Sequence, residues 1–189
     1  MEQFESLERL EQLEAVDIDV DSRIHTGSNP GIGLELNGVT QEFIEIYEAK
    51  FLKMVRLAFL LTGSEEIAED LVQDSFARMY LHWRTVKNPE PYIRRSVVNA
   101  CSSYHRRSWR DRTRLDGHEP SAPSVDPRES SSLSVSLGKL PSRQRSAIVL
   151  RYYADLSDGE IASVLGCRIG TVSSLIYRGL ESLRKVVEV

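Results

Sequence analysis

Residues 156–183 read LSDGEIASVLGCRIGTVSSLIYRGLESL, and this stretch decides the fold. Ser157 and Glu160 stand three apart, the spacing of a capping box that starts a helix. Ile161, Ala162 and Leu165 then give that helix one apolar face. Gly166 can take the positive φ that a sharp turn needs. Val172, Leu175, Ile176 and Leu180 give a second helix its buried side, and Ala162 is small enough to let it approach closely. Two short helices joined this way form a helix-turn-helix, whose second helix enters a DNA major groove. Its outer side carries Thr171, Ser173, Ser174, Tyr177 and Arg178. Hydroxyls and a guanidinium on one face suit phosphates and base edges. A plain helical hairpin would share the apolar spacing, but cap, turn and polar face together favour the DNA reading.

Working upstream, Pro141–Tyr153 reads as a helix, and residues 131–138 read as a shorter one. Residues 115–132 hold Gly117, Pro120, Pro123 and Pro127 among serines, with little to bury, which marks a linker. Further upstream, Phe43, Ile44, Tyr47, Phe51, Met54, Val55 and Ala58 recur at three and four, giving a long amphipathic helix over 41–61. Thr62-Gly63 breaks it, and Ser64 caps a second helix with Glu65 and Glu66 at its positive end. Ala68, Leu71, Val72, Phe76, Met79 and Tyr80 cluster on one face of that helix, leaving Glu69, Asp70, Gln73 and Asp74 mostly on the other. A loop around Val86-Lys87 leads to Asn88-Pro89, an N-cap and first-turn proline for a third helix running to about Arg110. No segment alternates with the period of a strand. The fold class expected is all-α, with two small helical domains joined by a flexible linker.

Residues 1–38 predict poor order. Phe4, Leu7, Leu10 and Leu13 recur every three residues, which winds them around a helix instead of forming a stripe. A run with Gly27, Pro30, Gly31, Gly33 and Gly38 follows.

Charge is unevenly spread. The net charge of −4 combines −7 over residues 1–38, −4 over 39–81, +7 over 82–114, −3 over 115–132 and +3 over 133–189. Two basic segments in an acidic chain point to polyanion contact at two places. No apolar run nears the roughly 18–20 residues of a membrane span, and the acidic start lacks a secretory signal, so a cytoplasmic location is expected. Cys101 and Cys167 lie far apart, without the spacing of a zinc site, and read as small core residues. His25, His82, His105 and His118 are scattered, and no nucleotide loop or catalytic triad stands out. No enzyme, metal or cofactor is expected.

Taken in order, AEDLVQDSFARMY (68–80), PEPYIRRSVVNACSSYHRR (89–107) and LPSRQRSAIVLRYYADLSDGEIASVLGCRIGTVSSLIYRGLESLRK (140–185) resemble regions two and four of bacterial sigma factors of the extracytoplasmic-function (ECF) group. The resemblance covers about 40–110 and 133–187. It implies an acidic extension (1–38), region two (39–114), a linker (115–132) and region four (133–189). It implies core RNA polymerase as partner, with Asp70, Gln73 and Asp74 against the clamp helices of the largest subunit. Region four would hold the flap of the second-largest subunit through its apolar side.

The same resemblance implies promoter DNA as the second partner. Lys87 and Asn88 stand at the loop that captures an unstacked minus-ten base, and Arg94, Arg95 and Asn99 lie on the reading helix. Arg106, Arg107 and Arg110 suit phosphates. Trp83 and Tyr92 could stack on bases, but core packing fits them better. Thr171, Ser173, Ser174, Tyr177 and Arg178 would read the minus-thirty-five element. Ser173 and Leu175 depart from the family, where Lys or Arg is common, which weakens phosphate anchoring there. An anti-sigma factor is a further partner the family suggests. The competing reading is a stand-alone helix-turn-helix regulator with an N-terminal sensor or dimerisation domain.

Overall fold

The computed structural model describes residues 39–116 and 132–187. The acidic extension and most of the linker lie outside the described residues. The elements in chain order are α1 (Val39–Thr62), α2 (Glu65–Leu81), a 3-10 turn (Trp83–Thr85), α3 (Pro89–Asp116), α4 (Ser132–Gly138), α5 (Ser142–Tyr152), α6 (Asp158–Leu165) and α7 (Ile169–Val187). Among the described residues there is no strand.

Local chemistry sets these boundaries. Thr62 turns its hydroxyl back to the Ala58 carbonyl (2.8 Å), and Gly63 stands at φ 79° with its N–H donating to the Phe59 carbonyl. That left-handed residue ends α1 at little steric cost. Ser64 Oγ accepts from the Ile67 N–H and starts α2. Asn88 contributes its carbonyl to the first bond of α3, accepting from the Tyr92 N–H at 3.2 Å. Helix α3 runs six residues beyond the expected Arg110, because no glycine or proline interrupts it before Gly117.

α1, α2 and α3 pack on one another, and Met54, Val55, Ala58, Val72, Phe76, Met79, Ile93 and Val97 are buried between them. Phe43 meets Phe76, Tyr80 and Trp83 edge-on, with Trp83 at 5.3 Å. Trp83 and Tyr92 both pack against the core. The second module groups α5, α6 and α7 with α4 beside them, around Ile148, Leu150, Ile161 and Val172. Val172 is fully buried, Ile176 and Leu180 are half-buried and pack against the core, Leu175 is half-buried, and Leu183 is buried as well. Cys101 is buried and Cys167 half-buried.

Gly179 has a packing reason. A Cβ there would stand 2.5 Å from Ile148 Cδ1, so hydrogen at this position lets α7 close on α5. Helical propensity alone would prefer Ala, by about 1 kcal/mol.

The two modules also dock on each other. α1 contacts α4 and α5, and α3 contacts α5 and α6, so buried side chains form one continuous cluster. Sequence periodicity gives no sign of this docking, since each module satisfies its own apolar stripes.

The glycines of α7 yield a paired prediction. Gly179→Val is expected to destabilise the second module by about 1–3 kcal/mol through overpacking. Gly170→Ala, whose Cβ would meet nothing within 4 Å, is expected to be neutral or to stabilise by up to about 1 kcal/mol. Thermal melts of the two variants beside wild type check both.

Candidate nucleic-acid interface

The turn before α7 is built as its residues require. Ser157 Oγ accepts from the Glu160 N–H (3.4 Å), while Glu160 Oε2 accepts from the Ser157 N–H (2.9 Å) and hydroxyl (2.6 Å). The hydrogen bond from the Ser157 side chain is the main reason the Glu160 carboxyl is held below its ordinary pKa. Gly166 closes α6 at φ 60°, ψ 45°, and the Cys167 N–H donates to the Ala162 carbonyl at 3.0 Å. Arg143 reaches the Leu165 carbonyl from α5.

α7 therefore projects its polar side outward. Thr171, Ser173, Ser174, Tyr177 and Arg178 are all exposed, Tyr177 at 65%. Ser173, Ser174, Tyr177, Arg178 and Glu181 line a shallow open depression. Ser174 donates to the Gly170 carbonyl (3.1 Å), so its hydroxyl keeps acceptor capacity on the outer side. Ser173 donates to Asp158 Oδ2 at 3.2 Å, and Asp158 Oδ1 is held by Arg151, which also donates to the Leu156 carbonyl. This carboxylate joins α5, the start of α6 and α7. The sequence hid that link, because Arg151 and Asp158 fall on different elements with no spacing that pairs them.

The second surface lies along α3. Arg95, Asn99, Arg106 and Arg110 are exposed at intervals of four, seven and four, so they form one stripe. Ser103, Arg106, Arg107 and Arg110 line another shallow depression. Arg106 donates to Ser103 Oγ at 3.0 Å, and Arg110 Nε to the Arg106 carbonyl at 3.2 Å. Lys87 and Asn88 are exposed in the loop before the helix.

Arg94 does not join this stripe. Its side chain is 11% exposed and pairs with Glu90 (2.9 Å), which also binds Lys50 at 2.7 Å. The hydrogen bond from Lys50 is the chief cause of the lowered Glu90 pKa, helped by the nearby charges of Lys50, Arg94 and Lys53 against partial burial. On α2, Asp70, Gln73 and Asp74 are exposed, and Asp74 pairs with Arg78 at 3.0 Å.

Two cationic or hydroxyl-bearing surfaces on separate helical modules can meet nucleic acid at two places. The family models "Sigma-70 region 2" and "Sigma-70, region 4" match residues 47–111 and 131–183. The RNA polymerase sigma-E factor of Streptomyces coelicolor is 31% identical over 158 residues, covering 78% of this chain and 87% of that protein. The chain belongs to the ECF sigma factors.

An ECF sigma factor named SigE from Mycolicibacterium smegmatis is 33% identical over 147 residues, 70% of this chain and 56% of that longer relative. Solved structures share the fold. The sigma factor RpoE of Bartonella quintana, in complex with the anti-sigma factor NepR, superposes at TM-score 0.66 with 24% identity, covering 79% of this chain and 98% of that one. CnrH, in complex with the cytosolic domain of CnrY, superposes at 0.60 with 20% identity, covering 78% and 88%. Similarity extends across both regions, so a stand-alone regulator with an unrelated sensor domain is not favoured.

The Glu90 pair gives a pH prediction for this sigma factor. A carboxyl whose folded pKa is depressed contributes stability above its unfolded value of about 4.3, and that contribution fades as pH falls through the folded pKa. Glu90→Gln is therefore expected to be less stable than wild type at pH 6, with the two converging toward pH 3. Chemical denaturation across that range measures it.

Proposed function

We propose that this sigma factor directs RNA polymerase to promoters by dividing the work between its two regions. Region two (39–114) binds core polymerase through Asp70, Gln73 and Asp74, which stand exposed on one helix and suit the clamp helices of the largest subunit. It handles the minus-ten element with Lys87, Asn88, Arg94, Arg95 and Asn99, while Arg106, Arg107 and Arg110 track phosphates. Base extrusion costs a few kcal/mol, offset by pocket contacts and the cationic stripe beside it. Arg94 reaches DNA only after leaving Glu90, so Arg95 and Asn99 are the readier contacts.

Region four (133–189) reads the minus-thirty-five element with Thr171, Ser174, Tyr177 and Arg178. Ser173 serves there both as a contact and as the tie to Asp158. Its apolar side takes the flap of the second-largest subunit. The acidic extension (1–38) and the linker (115–132) complete the chain. Among the described residues no helix is long and apolar enough to cross a membrane, and work on polymerase places the protein in the cytoplasm. The complex of RpoE with the anti-sigma factor NepR supports an anti-sigma partner for this chain. The carrying observation is the presence of both exposed surfaces, one per region, in a chain matched by both sigma-region models.

Two outcomes are expected. Added to core polymerase, the protein comigrates with it and confers initiation at selected promoters from a library; failure of both contradicts the proposal. With about five cations on phosphates, log affinity falls against log salt at a slope of about −4 to −5. Alanine at Arg106, Arg107 or Arg110 is expected to flatten that slope by about 1 each. Filter binding across a salt series checks it.

A further inference from the structure

On the outer face of α7, three hydroxyls have already given their hydrogens away. Ser173 Oγ donates to Asp158 Oδ2 at 3.2 Å, since a carboxylate has no hydrogen to offer in return. Ser174 donates to the Gly170 carbonyl at 3.1 Å, and Tyr177 to Glu181 Oε1 at 3.5 Å. Of these three bonds, the one from Ser173 leaves its own helix, and it ends on an acid that is itself fixed. Arg151 Nη2 holds Asp158 Oδ1, while Nη1 of the same guanidinium donates to the Leu156 carbonyl at 2.9 Å. We propose that Asp158, clamped by Arg151, is a positioning residue that sets base specificity: it fixes the Ser173 hydroxyl as a hydrogen-bond acceptor toward DNA, so that this hydroxyl selects adenine or cytosine at one position of the minus-thirty-five element.

A free serine hydroxyl discriminates poorly. It carries one hydrogen and two lone pairs on a rotor, and it turns to meet a donor or an acceptor alike. With the hydrogen committed to Asp158, lone pairs are what Ser173 has left to offer. Phosphate oxygens, guanine N7 and O6, and thymine O4 are acceptors, so they find no hydrogen there. The amino groups of adenine (N6) and cytosine (N4) are the donors that the major groove presents. A lone carboxylate beside the groove would repel the duplex, but Asp158 is paired with Arg151, and the two side chains are 30% and 37% exposed. Ser173 is exposed and lines the shallow depression with Ser174, Tyr177 and Arg178, so a base edge can reach it.

Exchanging one carboxylate oxygen for an amide nitrogen undoes the device without changing its shape. In Asp158→Asn the Arg151 guanidinium still demands an oxygen, which turns the amide nitrogen toward Ser173. That nitrogen donates to Ser173 Oγ and frees the hydroxyl hydrogen to point outward. Guanine and thymine then become as acceptable as adenine and cytosine.

The inference rests on reading α7 as the minus-thirty-five helix, and one experiment separates the two. Holoenzyme assembled from the full chain and core polymerase is bound to a promoter library randomised across the minus-thirty-five element, and the retained sequences are counted. Wild type is expected to favour adenine or cytosine over guanine or thymine by about fivefold at one position. Asp158→Asn is expected to erase that ratio there while the other positions keep their ranking, and Ser173→Ala to erase it as well. A purely structural role for Asp158 would lower binding to every sequence alike. An Asp158→Asn profile that matches wild type overturns the inference, and so does a uniform loss with helix content intact by circular dichroism. If Asp158→Asn loses helix, Ser173→Ala carries the test: a loss confined to one position supports the inference and an unchanged profile rejects it. A wild type that selects an element with no adenine-or-cytosine position rejects the inference and spares the reading. A wild type that selects no upstream element rejects the reading, and the inference falls with it.

Discussion

Arg145 brings a full positive charge into a core where it is 3% exposed, and the carbonyls of Leu61, Gly138 and Leu140 receive it. Burial pushes its pKa down to about 10, so it stays protonated at neutral pH. Its Nε is left without a hydrogen-bond partner among the described residues. An isolated buried charge is costly unless neighbouring dipoles are aimed at it. The turn from α4 to α5 supplies two such dipoles and the end of α1 the third. One side chain thus bonds both within region four and to the end of α1, beside the apolar cluster that the two regions share. Cys101 lies in the same neighbourhood, and burial pushes its thiol up to about 12, which keeps it neutral beside the guanidinium.

This arrangement leaves the polar sides of α3 and α7 outward even though the regions are docked. α7 shows Thr171, Ser174, Tyr177 and Arg178 to solvent because Val172, Gly179 and Leu183 take the opposite side. The Arg95–Asn99–Arg106–Arg110 stripe stays open because α3 buries Ile93, Val97, Val98 and Cys101. On α3, Arg94 is drawn inward, where it pairs with Glu90. Docking thus leaves the stripe and the polar side of α7 exposed.

Much of this was legible in the sequence where the cause is local. The capping box at Ser157 and Glu160, the left-handed turn at Gly166, and the break at Thr62-Gly63 each follow from chemistry within four residues. The apolar periodicity of α1 and α2 was equally direct. Long-range causes left no such trace. Arg145 sits in Ser142–Arg145, a polar run that reads as a solvated first turn, and only tertiary packing buries it. Asp158 looks like an ordinary dipole-favoured acid until Arg151 and Ser173 close around it. Leu175, expected on the buried side, is half-buried, because the stripe through Val172, Gly179 and Leu183 faces the core and Leu175 falls at its edge. α3 runs past Arg110 for a simpler reason, because an arginine-rich segment carries no stop signal.

The central claim is that α3 and α7 meet different elements of one promoter. Site-specific photocrosslinking tests it most directly, with a photoreactive residue at Asn99 or at Tyr177 in the polymerase-bound protein. The account predicts that position 99 crosslinks to the minus-ten region and position 177 to the minus-thirty-five region, about 25 base pairs upstream. Crosslinks from both positions to the same element, or none from either in an initiation-competent complex, would contradict it.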